Sequence, residues 1–476
     1  MNRSLFKGFL LLAVCLLVFS ACGRDSGGSH HRGNPKPVTH IILFIGDGMQ
    51  LENEIATSRY LYGSDRAMVW DSFPYQAFVT TWDVNSYNVY ASDAGASAYD
   101  ETTFDPVIGY DPAQGGTEPY PLVTTGAMPY LVHAATDSAS AATAYATGIK
   151  TESGRIAWRR GGAPGGELTA LTEMLRSQKD AAFGVLTTVP ISHATPAAFV
   201  SHNVSRNNYF EIADEIINVT QPEVAIGAGH PNWVGGYLSS AQLDALRVSP
   251  IYSLVERVSG QDGGANLLYA ASTLAPDRKL FGLFGGAGGN FEPPVPHNNP
   301  GHPGFIITPE NPSLGATTQA ALEVLNRNPN GFFLMVESGD IDWANHANDF
   351  ASMVGCVWRL EDAVETAIDF VNRPGDDLDW TNTLIIVTAD HATGGLRLNP
   401  AMPLGLGELP AQSGSSYPNG EVAYNTGGHT NELVTLYALG ARLDLFDDYA
   451  GTRYQDTRII DNTQVFQVMS RAAGLQ

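Results

Sequence analysis

Five short, nearly uninterrupted apolar runs constrain this chain more than any other feature. They are Ile41–Ile45, Phe183–Thr187, Phe332–Val336, Leu384–Val387 and Leu433–Tyr437. A strand with one wet face alternates polar and apolar residues; a run apolar throughout must be covered on both faces, as in a parallel sheet. Between the runs, apolar residues fall at helical spacing in Leu168–Arg176, Thr317–Leu325 and Met353–Val371. Alternating strand and helix specify an α/β fold, a three-layer sandwich whose central, mostly parallel sheet is flanked by helices. The segments 50–130, 225–315 and 396–428 are rich in Gly, Pro, Tyr and Asn and read as excursions from that core, insertions forming a crown-like projection. The glycine cluster Gly285–Gly289 lacks a following Gly-Lys-Ser/Thr, so it reads as a loop and not as a nucleotide phosphate loop.

The first residues read as an address. Arg3 and Lys7 precede the apolar stretch Phe9–Phe19, which is too short for a bilayer and ends in Ser20-Ala21-Cys22. Residues 1–21 are expected to be a signal peptide and 22–37 a flexible tether, with 38–476 as the catalytic domain. Cys22 after Ser-Ala resembles a bacterial lipobox, which would make the chain an exported lipoprotein of the periplasm or outer membrane. Ordinary cleavage near Ala21 is the alternative, giving a soluble periplasmic or secreted protein. Of three cysteines, Cys15 lies in the leader and Cys22 would carry lipid. Cys356 alone remains, so no internal disulfide is expected, and its helical setting reads as core filling.

The formal net charge is -23. Such a surface argues against a nucleic-acid partner, and also against simple electrostatic capture of an anion. An anionic substrate would need a locally positive site, built from metals or a placed arginine.

The polar residues that end the apolar runs supply such a site. In parallel sheets, ligands gather at the carboxyl ends of the strands. Asp47 follows the first run, Glu337 the third and Asp390-His391 the fourth. Each alone reads as a cap or turn residue, the commoner use; their recurrence at one sheet edge does not. Asp342 and His346 are four apart, which puts carboxylate and imidazole on one helical face. His429 adds an imidazole in a glycine-rich approach. Carboxylate with imidazole suits zinc, and carboxylate also suits magnesium. Asp137-Ser138 opens a small-residue helix, where amide groups and the helix dipole favour anions. Alone, that segment reads equally as a buried alanine-rich helix with an Asp cap.

Taken together these segments resemble the alkaline phosphatases. The resemblance rests on Phe44–Met49, Thr136–Thr143, Tyr145–Lys150, His193–Ala198 with Ser205-Arg206, Val336-Glu337, Ile341–His346, Thr388–Ala392 and Gly428-His429, which occur in the family's order. It implies hydrolysis of phosphate monoesters through a phosphoserine, with release of inorganic phosphate and an alcohol. Ser138 would be the nucleophile, and Arg206 would grip two phosphate oxygens. Asp342, His346 and His429 would hold one zinc; Asp390, His391 and Asp47 would hold a second beside Ser138. Asp47 would also bridge to a magnesium held by Glu337 and Thr195. A homodimer is the family's usual assembly. Two residues depart from the pattern: His193 and Trp343 stand where many bacterial members have Asp and Lys. Both are outer-sphere candidates beside the third ion, and the identity of that ion is left open.

Two other readings compete. A diesterase or sulfatase could share the scaffold, but diesterases commonly use Thr, and the Cys/Ser-x-Pro-x-Arg context of sulfatases is missing at Ser138-Ala139-Ser140. A surface lipoprotein that binds metal without turnover would not need Ser138 and Arg206.

Overall fold

The structure, a computed structural model, describes residues 36–110, 128–297, 301–375 and 377–476. The expected leader 1–21, Cys22 and the tether up to residue 35 lie outside the described residues. Residues Pro37–Gln476 form one unit, and all that follows concerns it.

Ten strands share one sheet. In chain order they are β1 His40–Gly46, β2 Tyr75–Thr80, β3 Ala182–Pro190, β4 Val224–Ala228, β5 Tyr252–Glu256, β6 Lys279–Leu283, β7 Phe332–Ser338, β8 Thr383–Thr388, β9 Val434–Gly440 and β10 Ile459–Asp461. Their spatial order is β10-β2-β9-β8-β1-β7-β3-β4-β6-β5. Strand β9 runs antiparallel to both neighbours, and every other pairing in the sheet is parallel. The apolar runs at β1, β7 and β8 are buried at every residue, as strands covered on both faces must be.

The helices used below are α1 Leu51–Tyr62, α2 Ser138–Thr147, α3 Ala194–Val200, α4 Leu314–Leu325, α5 Asp340–His346, α6 Phe350–Val371 and α7 Asn462–Ala472. Helix α6 packs on α1, α4 and β1, while α2 packs on α3 and α7, and α3 on β3 and β7. The α/β sandwich expected from the sequence is therefore the observed fold. Cys356 is buried in α6, as core filling requires.

The segments read as excursions differ from expectation. Residues 225–315 contribute β5, β6 and nearly all of β4, and residues 50–130 contribute β2. These strands are only five or six residues long, and glycine interrupts Val224–Ala228 and Lys279–Leu283, which dilutes the apolar signal. The glycine has a packing reason: a Cβ at Gly282 would meet Ile226 Cγ2 at 2.9 Å. The apolar run at β9 proves antiparallel because it returns from the 396–428 segment at the opposite edge of β8.

The register places the site. Ile45 stands opposite both Glu337 and Thr388, and Glu337 also opposite Thr187. The residues that leave β1, β7, β8 and β3 therefore emerge side by side at one edge.

Candidate active site

Three imidazoles and four carboxylates converge on Ser138. Asp47 follows β1 in a tight turn whose next residue, Gly48, has φ +70; a Cβ there would lie 2.8 Å from the Asp342 Cα. Only glycine lets α5 approach the end of β1 so closely. Gly48 N and His391 N donate to Asp390 Oδ1 at 3.1 and 3.0 Å. Two amides thus pin one oxygen of Asp390 and leave the other free. Ser138 is the first residue of α2, after the cap Asp137, whose side chain accepts from Ser140 N. Ser138 Oγ lies 3.1 Å from His391 Nε2.

Two ligand triads result. Asp342, His346 and His429 bring one donor atom each within 4.8 Å of one another, and so do Asp47, Asp390 and His391. His346 Nε2 and His429 Nε2 are 3.1 Å apart. His391 Nε2 is 3.3 Å from both Asp47 Oδ1 and Asp390 Oδ2.

The tautomers show what these atoms await. His346 Nδ1 donates to Gly427 O at 2.6 Å, and His429 Nδ1 donates to Thr136 O at 2.7 Å. A carbonyl oxygen only accepts, so both Nδ1 atoms carry protons. Thr393 Oγ1 donates to Asp342 Oδ1 at 2.6 Å, so the contact at 3.3 Å makes it the acceptor for His391 Nδ1. In the neutral rings all three Nε2 lone pairs then point into the two clusters, the arrangement that outer hydrogen bonds give to metal-binding histidines.

Unpaired oxygens reinforce the point. Asp47 Oδ1, Asp390 Oδ2, Glu337 Oε1 and Thr195 Oγ1 are buried without a hydrogen-bond partner. Buried acceptors left bare are costly unless a cation fills the space between them. Without one, burial and mutual repulsion push Asp47 well above the usual carboxylate range. Burial pushes Glu337 up to about 8 and Asp390 up to about 7. Asp342 behaves oppositely: burial alone would raise it, but hydrogen bonds from His346 and His429 hold it well below. The hydrogen bond to Asp342 in turn lifts His346 to about 9. A divalent cation would displace that proton and reverse the carboxylate shifts. The residues fit metal ions.

Arg206 reaches the same place. Its Nη1 donates to Asp137 Oδ2 at 2.9 Å, and its side chain keeps 20% exposure. Glu337 comes from β7, with its Oε2 accepting from Thr187 Oγ1, and Thr195, in the first turn of α3, faces it. His193, the residue before α3, has a buried, unpartnered Nδ1. Burial, then Arg206, drives it down to about 3, so its ring is neutral. Trp343 stands 5.9 Å from His193, ring to ring. The two triads lie beside Ser138, Arg206 is tied to its cap Asp137, and Glu337, Thr195, His193 and Trp343 come from the same ends of β7, α3 and α5. His230, just after β4, pairs with Glu256 at 3.0 Å. Sequence reasoning missed Thr187, Thr393 and the second role of Asp137, which both caps α2 and anchors Arg206. It also missed the carbonyls of Thr136 and Gly427, which no side chain betrays.

Comparison with known proteins agrees with this geometry. The sequence profile of the family described as "Alkaline phosphatase" matches residues 108–231 and 262–418. Alkaline phosphatase 3 of Bacillus subtilis (strain 168) is 30% identical over 389 residues, 81% of this chain and 67% of that protein. Among solved structures, Thermus thermophilus alkaline phosphatase superposes with a TM-score of 0.62 at 21% identity, covering 95% of this chain and 96% of that one. A histidine-to-aspartate mutant of TAB5 alkaline phosphatase, with Mg bound in its M3 site, gives 0.60 at 22% identity, covering 93% and 100%. The chain belongs to the alkaline phosphatase family and is a metal-binding phosphatase that hydrolyses phosphate monoesters.

Proposed function

We propose that hydrolysis runs through a phosphoserine on Ser138, with zinc at Asp342/His346/His429 and at Asp47/Asp390/His391, and a third ion at Asp47, Glu337 and Thr195. The observation that carries this reading is the Ser138 hydroxyl 3.1 Å from His391 Nε2, with two triads of converging lone pairs beside it. Two cations so placed supply charge that stabilises the attacking and departing oxygens of an in-line displacement.

The chain's own residues do the rest. Ser138 Oγ bonds to phosphorus as the ester P–O bond breaks and the alcohol leaves. Water then cleaves the phosphoserine and releases inorganic phosphate. Helix α2 presents its N-terminal amides to the anion. Arg206 presents a guanidinium fork to two phosphate oxygens, and Asp137 fixes its orientation. This local charge offsets a chain with net charge -23.

The third ion follows from His193. A neutral imidazole beside the Glu337/Thr195 position suits zinc better than magnesium. His193→Asp should shift the third site toward magnesium, read by metal analysis; an unchanged zinc-to-magnesium ratio would contradict it.

Export as a lipoprotein through Cys22 and assembly as a homodimer complete the proposal. Among the described residues no helix is long and apolar enough to cross a membrane.

The test is Ser138→Ala. Turnover of a generic monoester should fall by at least about a thousandfold with metal content unchanged. Mass spectrometry of acid-quenched native enzyme should find phosphate on Ser138. Full activity in the variant would end the assignment.

A further inference from the structure

Beside the phosphate-holding groups stands a wall of rings. Tyr209 begins a short helix three residues after Arg206. Tyr237 comes from the loop after β4, where Ser192 Oγ donates to its carbonyl at 2.8 Å. Trp343 is the neighbour of Asp342 on α5. These segments are far apart in sequence, yet all three rings surround His193. Tyr209 and His193 lie within 6° of parallel with centroids 6.2 Å apart. Tyr237 stands 4.9 Å edge-on to Tyr209 and 6.5 Å from His193. A Cβ at Gly289 would lie within 3.4 Å of Tyr237 and 3.8 Å of Trp343, so the far ends of those two rings meet at that loop.

Tyr209, Tyr237 and Trp343 are only part-buried. None of their hydroxyl or indole groups is among the buried, unpaired atoms. The wall joins the phosphate site, because Trp343 adjoins the ligand Asp342 on α5, Tyr209 follows Arg206 by three residues and His193 precedes Thr195 by two. Half-open rings bordering a reacting centre offer faces and edges to whatever the phosphate is attached to.

Resting on the monoesterase reading above, we infer that Tyr209, Tyr237 and Trp343 form a subsite for the organic part of the ester, selecting monoesters that carry a planar aromatic or heteroaromatic ring. With a net charge of -23 the protein repels a free phosphate group at long range. Binding energy from the ring is then what distinguishes one ester from another. Flat rings stack on aromatic side chains whatever their substituents, so the subsite chooses a class of substrate and not a single compound.

The test compares two esters with the same primary alkoxide leaving group, adenosine monophosphate and ribose phosphate esterified at the same hydroxyl. They differ only by the base, so the chemical step is matched. The metal-loaded native enzyme should favour the nucleotide by about tenfold in kcat/KM, mainly through KM. Tyr209→Leu and Trp343→Leu should each cut the ratio to about 2 or less, while Tyr209→Phe, which keeps the ring, retains it. A native ratio near unity would overturn the inference, as would a ratio that survives both leucine variants. Failure to hydrolyse either ester would instead overturn the monoesterase reading beneath it.

Discussion

Thr393 shows how much a single hydroxyl can organise. It donates to Asp342 Oδ1 and accepts from His391 Nδ1, so one side chain orients a ligand in each triad. Removing it frees the His391 ring to turn and leaves Asp342 short of a donor. Thr393→Val should weaken zinc binding by about 10–100-fold while leaving the fold intact. Competition with a chromophoric chelator measures this, and native affinity in the variant would contradict it. Arg206 makes a different kind of contribution. Because it is held by Asp137 and touches no ligand of the triads, Arg206→Ala should raise KM and the inhibition constant for phosphate while metal content stays native. A charged hydrogen bond is worth about 1.5–3 kcal/mol, so the loss should be roughly 10–100-fold; unchanged phosphate inhibition would argue otherwise. Of the ten ligand, nucleophile and arginine side chains proposed for the site, Asp47, Glu337, Asp390 and His391 were readable because they follow apolar runs, Asp342 and His346 by their helical spacing, His429 by its glycine-rich approach and Ser138 by its place at a helix start, whereas Thr195 and Arg206 came from the family resemblance alone. Thr187 and Thr393 were not readable, since a threonine at a strand end has many commoner uses.

At the scale of elements, α2 is held at both ends. Asp137 caps its start. Beyond its other end, Lys150 donates to Trp82 O and Asn462 Oδ1, each at 2.7 Å, and lies 3.0 Å from Asp461 Oδ2. Asp461 is the cap of α7, so this ion pair ties the nucleophile's helix to the one it packs on. Burial alone would raise Asp461, but Lys150 and Arg453 outweigh it and hold the carboxyl down to about 2. Lys150→Met leaves that carboxylate buried with Arg453 as its remaining charged partner. The expected loss is about 3 kcal/mol near pH 6. A depressed carboxyl contributes stability that is full above its unfolded value near 4 and lost as pH falls through about 2. The deficit of Lys150→Met should therefore shrink toward pH 2. Urea unfolding of native and variant protein checks this, and a pH-independent deficit would refute it. The same elements show where the sequence was silent. Strands β1, β3, β7 and β8 announced themselves by unbroken burial. Strands β4, β5 and β6 did not, because five residues interrupted by glycine or a polar edge carry too little periodic signal.

Across the whole molecule, metal and stability are linked. Without ions, Asp47, Glu337 and Asp390 are raised groups, with Glu337 near 8 and Asp390 near 7. A raised carboxyl contributes its full stability below the unfolded value near 4 and loses it as pH rises through the folded value. Metal-free protein should therefore weaken between about pH 4 and 8, and the bound cations should cancel that loss. Calorimetry should find that a chelator lowers the melting temperature far more at pH 9 than at pH 5; equal effects would contradict the linkage. The central claim is that two metal ions flank one serine hydroxyl at the carboxyl edge of the sheet. Anomalous diffraction at the zinc edge from crystals of the metal-loaded protein tests it most directly. The expected map has one peak amid Asp342, His346 and His429 and another amid Asp47, Asp390 and His391, with Ser138 Oγ beside the second. A map empty at those two positions, or with zinc bound elsewhere, would contradict it.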